Sequence, residues 1–283
     1  MKPVSAKSPK TRRMRARFAT RSRAFGTCDY VVRRIEAALF EHLDLVRLKP
    51  ETVLDLGCGQ GRSHTALKSR YPSARHILLD VTLPVLRLAK GRWPWQRLSK
   101  VCADFDALPL SSGSVDLVFS NLSLTAAYEL PKVLGGICSA MQSGGLLAFS
   151  MLGTDTLFEL REVISTRVAR LSKRAQRSPF WDMHEVGDAL MSARFVDVVM
   201  DCERLTVRYK SVLDLLREAA ALSLLGPSFH AAAPGPGTKR LAECLTRKYP
   251  MDEGRAVATL EVIYGHAWVA QPISSRTVSF GLP

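Results

Sequence analysis

Between residues 30 and 46, Val31, Ile35, Ala38, Leu39, His42 and Leu45 recur at three- and four-residue spacing, which predicts an amphipathic helix. Pro50 interrupts that pattern, and a different one follows. Short strand-like apolar segments occupy 53–56, 76–79, 99–103, 115–120 and 146–151, with helical spacing between them at 62–70, 84–92 and 132–141. Strands separated by helices at this distance require crossover connections, so the chain is expected to be α/β: a mostly parallel sheet with helices on both faces.

The alternation lapses after Met151. A helix is expected from a Thr154/Asp155 cap through Leu157, Leu160, Val163 and Ile164, as a helical lid inserted after the fifth strand at about 154–180. Further helices are expected near 183–193 and 211–222, strands at 196–200, 205–209 and 259–268, and a loop at 226–238, which holds three prolines and three glycines. One domain over 26–283 accommodates all of these.

Composition (47% hydrophobic, 23% charged) and a mean hydropathy of +0.02 are ordinary for a globular protein. No apolar run reaches the roughly 18–20 residues of a spanning helix, which argues against a membrane-embedded protein. Cys28, Cys58, Cys102, Cys138, Cys202 and Cys244 show no metal-ligand spacing, so no metal is expected. Unpatterned cysteines suit a reducing compartment, the cytoplasm, with the mitochondrial matrix as the alternative. The net charge of +14 is concentrated at the start: residues 1–25 carry nine of the 40 basic side chains and none of the 26 acidic ones. That tail reads as a disordered basic arm, with a transit peptide or a phosphate-binding arm as the other readings. The remainder, at +5, does not point to nucleic acid as a partner.

The chemistry is carried by Val53-Leu54-Asp55-Leu56-Gly57-Cys58-Gly59-Gln60-Gly61, in which the first strand runs straight into a glycine-rich turn that opens a helix. In a doubly wound sheet this crevice receives a nucleotide-like ligand. The dinucleotide fingerprint needs glycine at position 62, where Arg62 stands. The spacing is G-x-G-x-G with Asp55 two residues ahead, an acid unwelcome beside a pyrophosphate but suited to the cationic amino acid end of S-adenosylmethionine. Asp80 ends the second strand and is placed for ribose hydroxyls. Asp104 and Phe105 follow the third, for the adenine amino group and the purine face. Asn121 follows the fourth. Asp80 and Asp104 also suit helix N-caps, but caps alone leave the glycine turn unexplained.

These residues resemble motif I and its successors in class I S-adenosylmethionine-dependent methyltransferases, a Rossmann-like fold. The runs GTDTLFELR (153–161), FWDMHEVGDAL (180–190), VMDCERLT (199–206) and YGHAW (264–268) narrow the resemblance to the malonyl-acyl carrier protein O-methyltransferases of biotin synthesis, over roughly 25–270. The resemblance implies methylation of the free carboxylate of a malonyl thioester on an acidic acyl carrier protein. A malonyl carboxylate is ionised at neutral pH, so no general base is expected. Arg161 and Arg204 are the candidates for holding that carboxylate. Six basic residues between 158 and 177 would steer an acidic carrier, although a solvated helix face explains them equally. Family members carry a Trp within four or five residues of the Asn-Leu pair; residues 121–128 here have none. A relative with another acceptor, including an arginine-hydroxylase-like assembly factor, and a noncatalytic cofactor-binding protein therefore stay open.

Overall fold

The structure is a computed structural model describing residues 29–89, 98–127, 129–167, 180–221, 239, 242–243 and 245–271. The expected tail at 1–25, the loop at 226–238 and part of the expected lid lie outside the described residues. Helix α1 (Asp29–Asp44) precedes five strands of one parallel set: β1 (Thr52–Leu56), β2 (Arg75–Asp80), β3 (Leu98–Cys102), β4 (Val115–Asn121) and β5 (Met141–Leu152). Helices α2 (Arg62–Arg70), α3 (Leu83–Leu86) and α4 (Leu130–Ala140) lie between them in sequence. Helices α5 (Phe158–Arg167) and α6 (Met183–Ser192) lead to the long strand β6 (Phe195–Tyr209). Helix α7 (Val212–Ala221), the short β7 (Met251–Asp252) and β8 (Arg255–Val269) follow. The sheet order is β3-β2-β1-β4-β5-β8-β6, with β8 antiparallel to β5 and β6 antiparallel to β8. The expected mostly parallel sheet is thus completed by an antiparallel edge.

Side-chain alternation along the strands divides the core into two layers. Val53, Leu117, Phe119, Leu146 and Ala148 face α1, α2 and α7, while Leu54, Leu56, Val118, Leu147 and Phe149 face α4 and α6. Both layers are almost wholly buried, with β1 buried at every position. Phe40 of α1 stacks on Phe119 of β4 at 4.8 Å, seating the first helix over the sheet beside the crevice. Asp116 fixes the entry to β1 by accepting the Thr52 N–H at 2.7 Å and the Glu51 N–H at 3.1 Å.

Three expectations change. Of the helix expected over 84–92, whose last three positions lie outside the described residues, a single turn forms, Leu83–Leu86, opened by Pro84. The strands expected at 196–200 and 205–209 are one strand, β6, bent by a bulge between Val196 and Val199. Its charged stretch through Asp201, Glu203 and Arg204 is continuous strand because β6 lies at the sheet edge, where no further strand among the described residues covers it. The helix after β5 starts at Phe158 rather than at a Thr154/Asp155 cap: Leu157 takes φ +57° and donates its N–H to Thr259 of β8.

Candidate active site

The glycine turn is held from both sides. Gly57 and Cys58 both donate their N–H to the Leu79 carbonyl of β2, at 2.8 and 3.1 Å, and Gly61 donates to Cys58. Gly57 has φ +73°, and a Cβ there would stand 2.2 Å from the Cβ of Ser123, whose hydroxyl donates to the Leu56 carbonyl. Gly59, at φ +54°, has no atom within 4 Å of a built Cβ. Here the backbone borders open space of the kind a close-lying ligand needs.

Asp80 is the brace of this loop. Its Oδ2 accepts the Gly59 N–H at 2.9 Å and its Oδ1 the Thr82 N–H at 2.7 Å. Burial raises its pKa, against the pull of those N–H groups. Asp55 is more deeply placed, at 3% exposure, and its Oδ2 is buried without a hydrogen-bond partner. Burial, then Glu36 and Asp80, push its pKa well above the ordinary carboxylate value. Glu36, on the face of α1 turned toward the sheet, was not legible as a site residue. It is half-buried and accepts a hydrogen bond from Ser63 in the first turn of α2.

The other expected cofactor residues sit at the same rim but are partly engaged by the protein. Asp104 accepts the Asp106 N–H at 3.1 Å as cap of a short 3-10 turn, Phe105–Ala107. The Phe105 ring packs against the α4–α6 core layer. The Asn121 amide accepts the Ser150 hydroxyl at 2.7 Å and donates to the Val32 carbonyl at 3.4 Å, tying α1 to the strand ends. Directly after it, Leu122 adopts φ +60°, a strained conformation for a branched side chain. In place of an aromatic in 121–127, Trp181 comes from the segment before α6 and donates its indole N–H to the Ala127 carbonyl at 3.3 Å.

Arg161 and Arg204 meet around one acidic corner beyond β5. Arg161 donates to the carbonyls of Thr156 and Thr154, and its burial lowers its pKa. Arg204, 68% exposed, pairs with Asp155 at 2.5 Å. Glu261 of β8 joins them, accepting the Asp155 N–H at 2.7 Å. No group of acidic, histidine or cysteine side chains among the described residues forms a metal site, and no described helix is long and apolar enough to cross a membrane.

The donor set fits S-adenosylmethionine. A buried, unpartnered carboxylate oxygen calls for a cation, the brace at Asp80 lies at a strand end where ribose hydroxyls would be met, and Gly59 leaves room for close approach. The fold and this crevice define a class I methyltransferase, and the Methyltransferase domain family matches residues 48–185. The 1,6-didemethyltoxoflavin-N1-methyltransferase of Burkholderia thailandensis, solved with S-adenosylhomocysteine bound, shares the fold at a TM-score of 0.52. It has 17% identity, covering 96% of this chain and 93% of that one. The malonyl-[acyl-carrier protein] O-methyltransferase of Methylovorus sp. is 36% identical over 88% of this chain and 86% of its own length. That of Gallionella capsiferriformans is 34% identical over 93% and 92%. The chain belongs to the malonyl-[acyl-carrier protein] O-methyltransferase family. These bacterial relatives lend the mitochondrial alternative no support.

Proposed function

We propose that the protein methylates the free carboxylate of a malonyl thioester carried on acyl carrier protein, a step in biotin synthesis, with S-adenosylmethionine as donor. The observation that carries this reading is the kinship with malonyl-[acyl-carrier protein] O-methyltransferases along nearly the whole length of both chains. When bound, the cofactor supplies an electrophilic methyl on a sulfonium. Asp55 would hold its ammonium, Asp80 its ribose hydroxyls, and Asp104 and Phe105 its adenine, with Gly59 giving the backbone its close approach while Gly57 and Gly61, packed against Ser123 and Ala89, shape the turn. Asn121 acts from behind, fastening α1 over the strand ends.

The acceptor carboxylate is already a nucleophile, so the protein's work is alignment and exclusion of water rather than proton abstraction. Of the two arginines proposed for the acceptor, Arg204 is the one whose partner, Asp155, is a side chain on an exposed surface and can be exchanged for another carboxylate. Arg161 is proposed to hold the 154–156 turn in register beneath it. The excess of basic residues in the sequence between 158 and 177 is proposed to steer the acidic carrier.

Rescue of a biotin-requiring bacterial strain that lacks its own malonyl-carrier methyltransferase tests the assignment. Growth without biotin is expected; no growth despite folded, expressed protein would contradict it.

A further inference from the structure

The sheet separates the two core layers, so a segment whose successive side chains enter both layers must pass over a rim of the sheet. Two described segments do this at the same place. In the first, Leu122 packs against the layer of α1, while Leu124 and Ala127 lie in the layer of α4 and α6. This turn covers the carboxyl ends of β4 and β5: Leu122 donates its N–H to Ser150 at 3.0 Å, and the Thr125 hydroxyl accepts the Leu152 N–H at 3.0 Å. It also bears on the glycine turn, since Ser123 donates to the Leu56 carbonyl at 2.8 Å and stands where a side chain on Gly57 would go. In the second segment, Phe180 packs against the α1 layer and Trp181 against the α4–α6 layer. The Trp181 indole N–H donates to the Ala127 carbonyl at 3.3 Å, so the two crossings run side by side over one rim. Ala127 ends the 3-10 turn Ser123–Ala126. That turn is thus pinned at its start by Ser123 against β1 and at its end by Trp181. Leu122, just ahead of it, takes φ +60°, a backbone that persists only where its surroundings over-determine it.

We propose that Trp181 is a positioning residue for the acceptor. Through Ala127 it fixes the 122–127 turn as the acceptor-side wall of the crevice, so that the malonyl carboxylate is held in line and water is kept out. This rests on the malonyl-carrier reading above. Trp181 acts through the turn rather than on the reacting atoms, and Phe180 anchors the same crossing from the opposite layer. Its influence falls on kcat. A loosened wall leaves the proposed cofactor groups at Asp55 and Asp80 in place and leaves the attraction of the carrier to basic residues unaltered, but it frees the acceptor to take unproductive orientations.

The test compares the full chain with Trp181→Ala and with Trp181→Phe, which keeps an aromatic ring but not the N–H donor. Three quantities are read on each: methylation kinetics with malonyl-carrier protein, calorimetric affinity for S-adenosylhomocysteine, and amide hydrogen exchange. Trp181→Ala is expected to lower kcat by about 10–100-fold, with KM within about threefold and S-adenosylhomocysteine affinity within about twofold of the wild type. Trp181→Phe is expected to lower kcat by about fivefold, the loss of one hydrogen bond, and to speed exchange over 122–127 while leaving β1 unchanged. An unchanged kcat, a parallel loss of S-adenosylhomocysteine affinity, or unaltered exchange over 122–127 in Trp181→Phe would each overturn the proposal while leaving the malonyl-carrier reading standing. A wild-type chain that binds S-adenosylhomocysteine but leaves malonyl-carrier protein unmethylated would overturn that reading and this proposal together. Trp181→Phe decides the matter even if Trp181→Ala does not fold.

Discussion

Gly57 and Gly59 share a left-handed backbone two residues apart, yet alanine is expected to fail differently at each. At Gly57 the new methyl would collide with Ser123, so Gly57→Ala should lower the urea unfolding free energy by about 2–4 kcal/mol through overpacking and conformational strain. At Gly59 there is open space, so Gly59→Ala should cost only about 1–2 kcal/mol of stability while weakening S-adenosylhomocysteine binding in calorimetry. Equal unfolding losses at the two positions would contradict this division between a packed and a ligand-facing glycine. Asp80→Ala removes both the loop brace and the proposed ribose acceptor, and should weaken binding by about 10–100-fold. Unchanged affinity would remove Asp80 from the site. At this scale the sequence was informative where residue type and strand position coincide, as for Asp55 and Asp80. It was silent on Glu36, which sits on a helix among apolar positions and gains meaning only from Ser63 and Asp55 across the fold. Asn121 shows the converse: its place at a strand end was legible, but its bonds to Val32 and Ser150 were not.

Among the elements, the segment before α6 joins local and tertiary signals. Asp182 caps the helix by accepting the His184 N–H at 2.8 Å, and Glu185 returns a bond from the Asp182 N–H at 3.0 Å, so family-like sequence here is partly a capping box. Asp182→Ala should lower stability by about 1 kcal/mol, read as a shift in the urea midpoint. No shift would mean α6 is held by packing alone. Helix α2 and strand β2 enclose His64 against His76, with ring centroids 5.1 Å apart and the His64 Nδ1 buried without a partner. Burial, then His76, Lys68 and Lys100, lower the His64 pKa from 6.5 to about 4, and His76 is lowered too. The unfolded chain therefore takes up these protons first as pH falls. Stability should be full above about 6.5 and decline toward 4, and His64→Phe should flatten that decline in urea titrations across the window. An unaltered slope would mean that His64 does not titrate with folding. Element types were legible from periodicity, but the continuity of β6 was not. A charged stretch reads as a break in sequence, whereas at a sheet edge it continues the strand.

For the molecule as a whole, the five parallel strands and the crevice at their ends followed from the order of apolar segments and the glycine turn. The antiparallel pair β8 and β6 did not, because which strands become neighbours depends on long-range pairing such as Leu152 with Val262 and Arg204 with Glu261. That pairing brings Arg204 to Asp155 and builds the proposed acceptor corner beyond the end of β5. If carrier docking is electrostatically steered, raising the salt concentration should raise the KM for malonyl-carrier protein while leaving S-adenosylhomocysteine affinity nearly constant. Parallel weakening of both would place the salt effect in the crevice instead. The most direct measurement is the intact mass of malonyl-carrier protein after incubation with the purified chain and S-adenosylmethionine. A gain of one methyl group on the malonyl moiety, absent with the acetyl-carrier protein, is the predicted result. An unchanged mass from protein that binds S-adenosylhomocysteine normally would contradict it.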